Sequence, residues 1–309
     1  MNNLKVVIVD PVHPSLIINL KKKFLLVKYV PGITYNELTK VIKKFHVIIL
    51  RSGIKLDKKI IQKARSLNVI ARAGVGMDNI DLQEAKKNKI KCFNVPSQSN
   101  LSVAEHAFGL IFSAARKINL CDRLLRKNIW KKKEMYGFEL SNKKLGIIGL
   151  GGIGTQIANI GKKFNMKVYA SVNNFNTERK NKLKKKNIIL TSLNNLLKKS
   201  DFVTISVPLN KKTTNLLNVK NLKLLKKNSI IVNISRGGVV NEDDLYNVLV
   251  KEKIFAAATD VFKQEKKNNK LFGLNNIVVT SHIGAMTYEA QKRIAIILEK
   301  KLLNLLNKF

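Results

Sequence analysis

Residues 143–167 read K-K-L-G-I-I-G-L-G-G-I-G-T-Q-I-A-N-I-G-K-K-F-N-M-K, with Gly149, Gly151 and Gly154 between an apolar run and a helical pattern. This is G-x-G-x-x-G in a strand–turn–helix setting, a spacing that seats the pyrophosphate of a dinucleotide. Gly149 lets the chain turn sharply, Gly151 presents no Cβ to a pyrophosphate, and Gly154 lets the helix pack closely on the strand. Amides at the helix start and the helix dipole then face the phosphates. Turns also recruit glycine for purely structural reasons, so a tight turn with no ligand is the plain alternative. The strand and helix patterns on both sides favour the ligand.

Acid–base chemistry near neutral pH points to histidine, the one side chain that titrates there unaided. The chain has His13, His46, His106 and His282. His282 follows the apolar run 277–280, and loops at the carboxyl ends of parallel strands gather ligands. It is the candidate proton carrier, set against a loop histidine satisfied by backbone. The other three fall near the N-terminal strands or in helix, where packing or surface roles are expected. Cys92 and Cys121 are far apart and lack C-x-x-C spacing, so no disulfide framework and no metal site is expected.

The elements that must position these groups follow from periodicity. Runs at 4–9, 25–30, 46–50, 68–71 and 90–93 are short and apolar on both faces, as strands of a helix-covered parallel sheet are. Residues 35–44 and 58–66 carry helical spacing between them. After a polar break at 97–100, one long helix is expected from 102 to about 126, with Val103, Ala107, Leu110, Ile111 and Ala114 on one face. Strands recur at 168–171, 202–206, 230–234, 255–258 and 277–280, and helical spacing at 288–307 could return the chain to the first domain.

The 58 Lys and Arg against 20 Asp and Glu give a net charge of +38, enough to attract nucleic acid, acidic membranes or anionic metabolites. Lysine used in bulk on solvated helix faces is the blander reading, and no aromatic residues interleave the lysines as a base-stacking surface needs. Nucleic acid is therefore not the expected partner. The N-terminus enters an apolar strand directly and no run approaches a membrane span, so a cytoplasmic protein without a membrane partner is expected.

Further segments complete a pattern: R-S-G-I-K at 51–55, A-R-A-G-V-G-M-D-N-I-D at 71–81, S-V-A-E-H at 102–106, and V-P-L at 207–209. N-I-S-R-G-G-V-V-N-E at 233–242, A-T-D-V-F-K-Q-E at 258–265 and S-H-I-G-A at 281–285 follow. In this order the chain resembles the D-2-hydroxyacid dehydrogenase family over nearly its whole length, and within it the phosphoglycerate dehydrogenases. The resemblance implies an α/β protein of two doubly wound parallel-sheet domains. A Rossmann-like nucleotide domain at 98–284 would be inserted into a flavodoxin-like substrate domain at 1–97 and 285–309. It also implies a hydride passing between NAD and a phosphorylated 2-hydroxy acid, and a homodimer built on the helix after Ser102.

By the same resemblance His282 is the acid/base, Glu265 its partner, and Arg236 the clamp on the substrate carboxylate. A carboxylate beside the ring stabilises imidazolium, and a guanidinium fork grips a carboxylate and polarises the carbonyl next to it. Gly149, Gly151, Gly152, Ile153, Gly154, Val207, Pro208 and Asp260 would hold the cofactor, with Asp260 near the nicotinamide carboxamide. Arg51, Arg72 and the backbone of Gly74, Val75 and Gly76 would hold substrate. Lys132 would reach a neighbouring subunit's site. Without the resemblance, Arg236 reads as a surface cation capping a turn, Glu265 as a solvated acid, Asp260 as a cap and Lys132 as solvated charge.

The chain departs from the family pattern in several places. Val172, followed by Asn173 and Asn174, stands where an acidic residue usually binds the adenosine ribose, which leaves NADP open beside NAD. Gly152 replaces a common arginine, Ser281 a common proline, and 97–100 lacks the usual glycine-asparagine pair. With the chain ending at Phe309, no C-terminal regulatory domain, and no feedback through one, is expected. Rival readings are a glyoxylate or hydroxypyruvate reductase on the same scaffold, and a non-catalytic nucleotide-sensing nucleic-acid-binding protein.

Overall fold

Short runs that are apolar on both faces need cover on two sides, and helices supply it throughout this chain. A computed structural model describes residues 3–173 and 176–307. The chain divides into two compact units, Met1–Ser99 with Met286–Phe309, and Asn100–Ala285. The first unit runs β1 (Lys5–Ile8), α1 (Pro14–Lys21), β2 (Leu26–Tyr29), α2 (Tyr35–Val41), β3 (Val47–Leu50), α3 (Lys58–Lys63), β4 (Val69–Arg72), α4 (Leu82–Lys87) and β5 (Lys91–Asn94). The second opens with α5 (Asn100–Ala115) and α6 (Ile118–Leu125), then β6 (Lys144–Ile148), α7 (Gly152–Lys163), β7 (Lys167–Ser171), α8 (Thr177–Lys184), β8 (Ile188–Leu190), α9 (Leu193–Lys199) and β9 (Phe202–Ile205). It closes with α10 (Val219–Leu222), β10 (Ile230–Asn233), α11 (Glu242–Val250), β11 (Ala256–Thr259) and β12 (Ile277–Val279), before α12 (Tyr288–Leu306) completes the first unit.

Both sheets are parallel, in the order β2-β1-β3-β4-β5 in the first unit and β12-β11-β10-β9-β6-β7-β8 in the second. Alternation along each strand divides its side chains between two cores. In the first sheet Val7, Ile48 and Ile70 face a core with Leu38 and Ile60, while Val6, Ile8, Val47 and Ile49 face Leu16 of α1 and Leu298 and Leu302 of α12. In the second, Leu145, Ile147, Phe202 and Val232 pack with α5, and Ile148, Val203, Ile205 and Ile231 with α9 and α11. Helix α5 lies across β10 and β11, where Ala104, Ala107, Ala256 and Ala258 are small enough for a close approach.

The single helix expected from 102 to 126 is two helices. Lys117 takes a left-handed φ of 53°, and the Ala115 carbonyl accepts from Phe138 N–H at 2.9 Å instead of continuing the helix. The five residues named for the face of that helix are all buried in α5, whereas α6 buries none. Apolar residues recur past the break, but α6 leaves them in solvent, Ile118 and Leu125 among them, so the buried face ends with α5. Helix α1 went unexpected because its eight residues bury only Leu16 and Leu20; its start is fixed by His13, whose Nδ1 accepts from Ser15 N–H.

Leu298 is fully buried in α12, while Ile296 two residues earlier is 51% exposed. We expect Leu298→Ala to cost about 2–5 kcal/mol and Ile296→Ala about 0.5 kcal/mol or less, read as the shift of the urea unfolding transition.

Candidate active site

The glycine turn is explained by what each missing Cβ would meet. Gly149 has φ 91°, and a Cβ on it would lie 2.6 Å from Val207 Cγ1 and 2.7 Å from the Ser206 carbonyl oxygen. A Cβ on Gly154 would run into the Gly149 carbonyl, which also accepts from Ser206 Oγ at 2.6 Å. Gly151 differs, since nothing lies within 4 Å of the position its Cβ would take. The protein's own packing therefore requires glycine at 149 and 154, and leaves open space at 151. Gly151 is the N-cap of α7 and makes no side-chain capping bond, so the first amides of the helix are left for an anion.

An open cleft of about 1050 Å³ runs from this turn past Val207 and Pro208 to Ser171, Val172, Arg179 and Lys180. Its lining residues all belong to the second unit. At Gly152, the position of the missing arginine, a Cβ would meet the side-chain amide of Asn100. Asn100 occupies that space. Asn174 lies outside the described residues.

A second group of side chains sits at the carboxyl ends of the adjacent strands β10, β11 and β12. Arg236 follows β10 in a loop shaped by Asn233, which donates from Nδ2 to the Arg236 carbonyl and accepts from Ser235 N–H and Oγ. Arg236 Nη1 donates to the Ser235 carbonyl at 2.7 Å. Glu265 lies in the segment after β11, and His282 follows β12. His282 Nδ1 is 2.7 Å from Glu265 Oε1. The bond to His282 holds the Glu265 carboxyl below the usual range; burial opposes this, and the charges of His282 and Arg236 assist it.

His282 stands at φ 59°, a left-handed conformation that a non-glycine residue rarely holds unaided. Asp260, 2% exposed at the end of β11, pins the chain on both sides of it. Its Oδ1 accepts from Thr280 Oγ1 at 2.6 Å and from Ile283 N–H at 2.9 Å, and its Oδ2 accepts from Gly284 N–H at 2.9 Å. His106 Nε2, on α5, is 3.3 Å from Asp260 Oδ1 and 3.1 Å from Thr280 Oγ1. With the Thr280 hydroxyl proton given to Asp260, Nε2 is the donor nitrogen of His106. Burial alone would raise the Asp260 carboxyl, but bonds from His106, Thr280 and the two amides outweigh it and hold the group below its usual range.

Asp260 thus gives its oxygens to the loop that carries His282. Periodicity placed His106 only on a helix; the missing signal was its spacing of four from Ser102, whose buried hydroxyl donates to the Gly284 carbonyl at 2.7 Å. Ser206 and Asn100 also escaped notice, because neither a serine after a strand nor an asparagine at a helix start announces which backbone it will meet.

Residues 108–284 match the model of the D-isomer specific 2-hydroxyacid dehydrogenase NAD binding domain. The D-3-phosphoglycerate dehydrogenase of Methanocaldococcus jannaschii is 40% identical over 290 residues, covering 94% of this chain and 55% of the relative. The chain thus spans little more than half of that protein's length. The hydroxypyruvate reductase of Thermotoga maritima is 39% identical over 274 residues, 86% of this chain and 87% of its own. The chain belongs to the D-isomer specific 2-hydroxyacid dehydrogenase family. Among solved structures, the D-lactate dehydrogenase of Aquifex aeolicus, complexed with NAD and lactic acid, aligns with a TM-score of 0.83 at 29% identity, over 98% of this chain and 96% of that one.

Of the remaining expected site residues, Arg51, Arg72 and residues 74–76 belong to the first unit and Lys132 to the second. In the first unit Arg51 and Arg72 end or follow β3 and β4, and the backbone N–H of Arg51 donates to Asp10. Arg51 Nη2 contacts Met286 Sδ, and burial lowers its guanidinium from its usual value, opposed by the charge of Asp10. Gly74, at φ 155°, lies under the Arg72 guanidinium, Val75 is exposed, and Gly76 is half-buried. Asn79 spends its amide on the carbonyls of Arg51 and Ile54. Lys132 is exposed in a 3₁₀ turn, Lys132–Glu134. Glu134 and Met135 line a hollow with Ile254 and Asn276, at the amino ends of β11 and β12, so within one chain that turn is at the opposite end of the strands from His282. Among the described residues no group of three His, Cys, Asp or Glu could hold a metal ion, and no helix is long and apolar enough to cross a membrane.

We expect Asp260→Asn to lose about 1–3 kcal/mol of stability at neutral pH, because one acceptor oxygen becomes a donor facing donors. The folded carboxyl lies below its unfolded value, so its contribution is complete above about pH 4 and is lost as pH falls through the lowered value. Thermal unfolding of both proteins over that range should show the deficit shrinking with acid; a deficit that widened would contradict the assignment.

Proposed function

We propose that this protein is a D-3-phosphoglycerate dehydrogenase, oxidising 3-phosphoglycerate to 3-phosphohydroxypyruvate with a nicotinamide dinucleotide, NAD being the family's usual form, as the first step of serine biosynthesis. The observation that carries the reading is the 2.7 Å His282–Glu265 contact with Arg236 close by, on the sheet that also bears the glycine turn. When bound, the dinucleotide supplies the hydride acceptor at its nicotinamide ring.

In this reading His282 Nε2 removes the C2 hydroxyl proton as hydride leaves C2, and returns it in the reverse direction. Glu265, ionised, stabilises the imidazolium that forms and fixes Nδ1 as the nitrogen facing it. Arg236 pairs with the substrate carboxylate and polarises the developing carbonyl. The fixed loop contributes orientation, since a proton carrier works only within hydrogen-bond reach of its substrate. Residues Gly149 to Gly154, with Val207 and Pro208, form the dinucleotide cradle. For the phosphate, Arg51 and Lys132 are the assigned cations, with Arg72 and the 74–76 backbone on the substrate as well. The function would be carried out by a cytoplasmic homodimer, with Lys132 acting across the subunit boundary.

A second reading is favoured by the similarity to the Thermotoga reductase, which extends over most of both chains. In that case glycerate or glycolate would serve without the phosphate. A non-catalytic nucleic-acid binder has no use for a paired imidazole and carboxylate beside a guanidinium, and this arrangement speaks against it.

A panel of 2-hydroxy acids assayed with both NAD and NADP separates these readings. Preference for phosphoglycerate supports the proposal, and equal turnover of glycerate would overturn its phosphate part. We expect His282→Ala to lower turnover by about two to four orders of magnitude. Arg236→Lys, which keeps the charge and loses the fork, should lower kcat/KM about 10- to 100-fold, the equivalent of one charge-assisted bond.

A further inference from the structure

We infer that the adenosine end of the cleft in the second unit is built for a 2′-phosphate, so that NADP binds more tightly than NAD. The inference rests on the cleft being a dinucleotide site, and goes on to state which dinucleotide it selects. In folds of this kind the residue at the end of the second strand, about twenty beyond the first glycine, decides the matter. A carboxylate there accepts bonds from the ribose hydroxyls and repels a phosphate. Here β7 ends at Ser171, Val172 and Asn173 follow, and Val172 is half-buried against the apolar core. Its side chain can accept no bond from a ribose.

The charge of the surroundings points the same way. Among the described residues that line the cleft there is no carboxylate, and the charged ones are Arg179, Lys180 and Lys212. Residues 174 and 175, outside the described set, are asparagine and phenylalanine in the sequence and add no acid. The nearest acid along the chain, Glu178, is exposed on the first turn of α8 and does not line the cleft. Asn176 caps that turn, accepting from Arg179 N–H at 2.8 Å, and so fixes the backbone from which both cationic side chains project.

A phosphate monoester carries a charge of about −1.5 to −2 near neutral pH and presents several acceptor oxygens. Arginine meets such a group with a planar fork, and lysine adds a compact charge. The 2′-hydroxyl of NAD uses neither to the same effect. Selection at this end therefore comes from two sources, a missing carboxylate for one ligand and added cations for the other.

Equilibrium calorimetric titration of the full chain with NADP and with NAD, without any hydroxy acid, tests this. We expect NADP to bind at least tenfold more tightly than NAD. Arg179→Ala combined with Lys180→Ala, both on the surface of α8, should weaken NADP at least tenfold more than NAD. Val172→Asp should shift the preference toward NAD. If both dinucleotides bind and NAD is equal or tighter, or if the double variant keeps the preference for NADP, the inference is overturned while the dehydrogenase reading stands. If neither binds, both are overturned.

Discussion

Residue 282 holds a left-handed backbone that costs a histidine roughly 1–2 kcal/mol, and the carboxylate of Asp260 keeps it there. That carboxylate is buried, so its negative charge is tolerated only because every donor around it is aimed inward. Thr280 lies on one side of the histidine, Ile283 and Gly284 on the other, and His106 closes the set from α5. The imidazole that emerges is partly exposed, while the backbone on both sides of it is tied to Asp260. Strain of this sort persists where the surroundings over-determine it, and such places cluster at functional sites.

The same constraint explains why the pairing with Glu265 is made at a fixed place. Strands β10, β11 and β12 are neighbours in register, so loops from their carboxyl ends converge without any special length. A shift of one strand by one residue would turn Arg236 or Asp260 to the other face of the sheet. The alternation of Ile230, Ile231 and Val232 between two filled cores forbids that shift. Packing beneath the sheet and chemistry at its edge are thus one specification.

The cleft on the other half of the second sheet is governed by space more than by polarity. Two glycines there are demanded by neighbours that leave no room, while the third, Gly151, has open space where a Cβ would stand. The large positive charge belongs mostly to lysines such as 21–23 and 184–186, which are exposed. Exposed charges spread over a surface are screened within about 10 Å and say little about a site. In the cleft, by contrast, Arg179, Lys180 and Lys212 are gathered in one lining that holds no carboxylate among the described residues.

Sequence alone determined the parallel sheets, the glycine turn and the face of α5, because each is a local rule: period 2, period 3.6, and a turn only glycine can make. It also marked His282 as a titratable group beyond a strand end. It could not locate the break at Lys117, since that depends on Phe138 reaching back to take the Ala115 carbonyl. Nor could it join His106 to Asp260, 154 positions apart, or seat Asn100 against Gly152. Periodicity records which side of an element is buried; only the tertiary structure decides which distant polar groups that burial brings within bonding range.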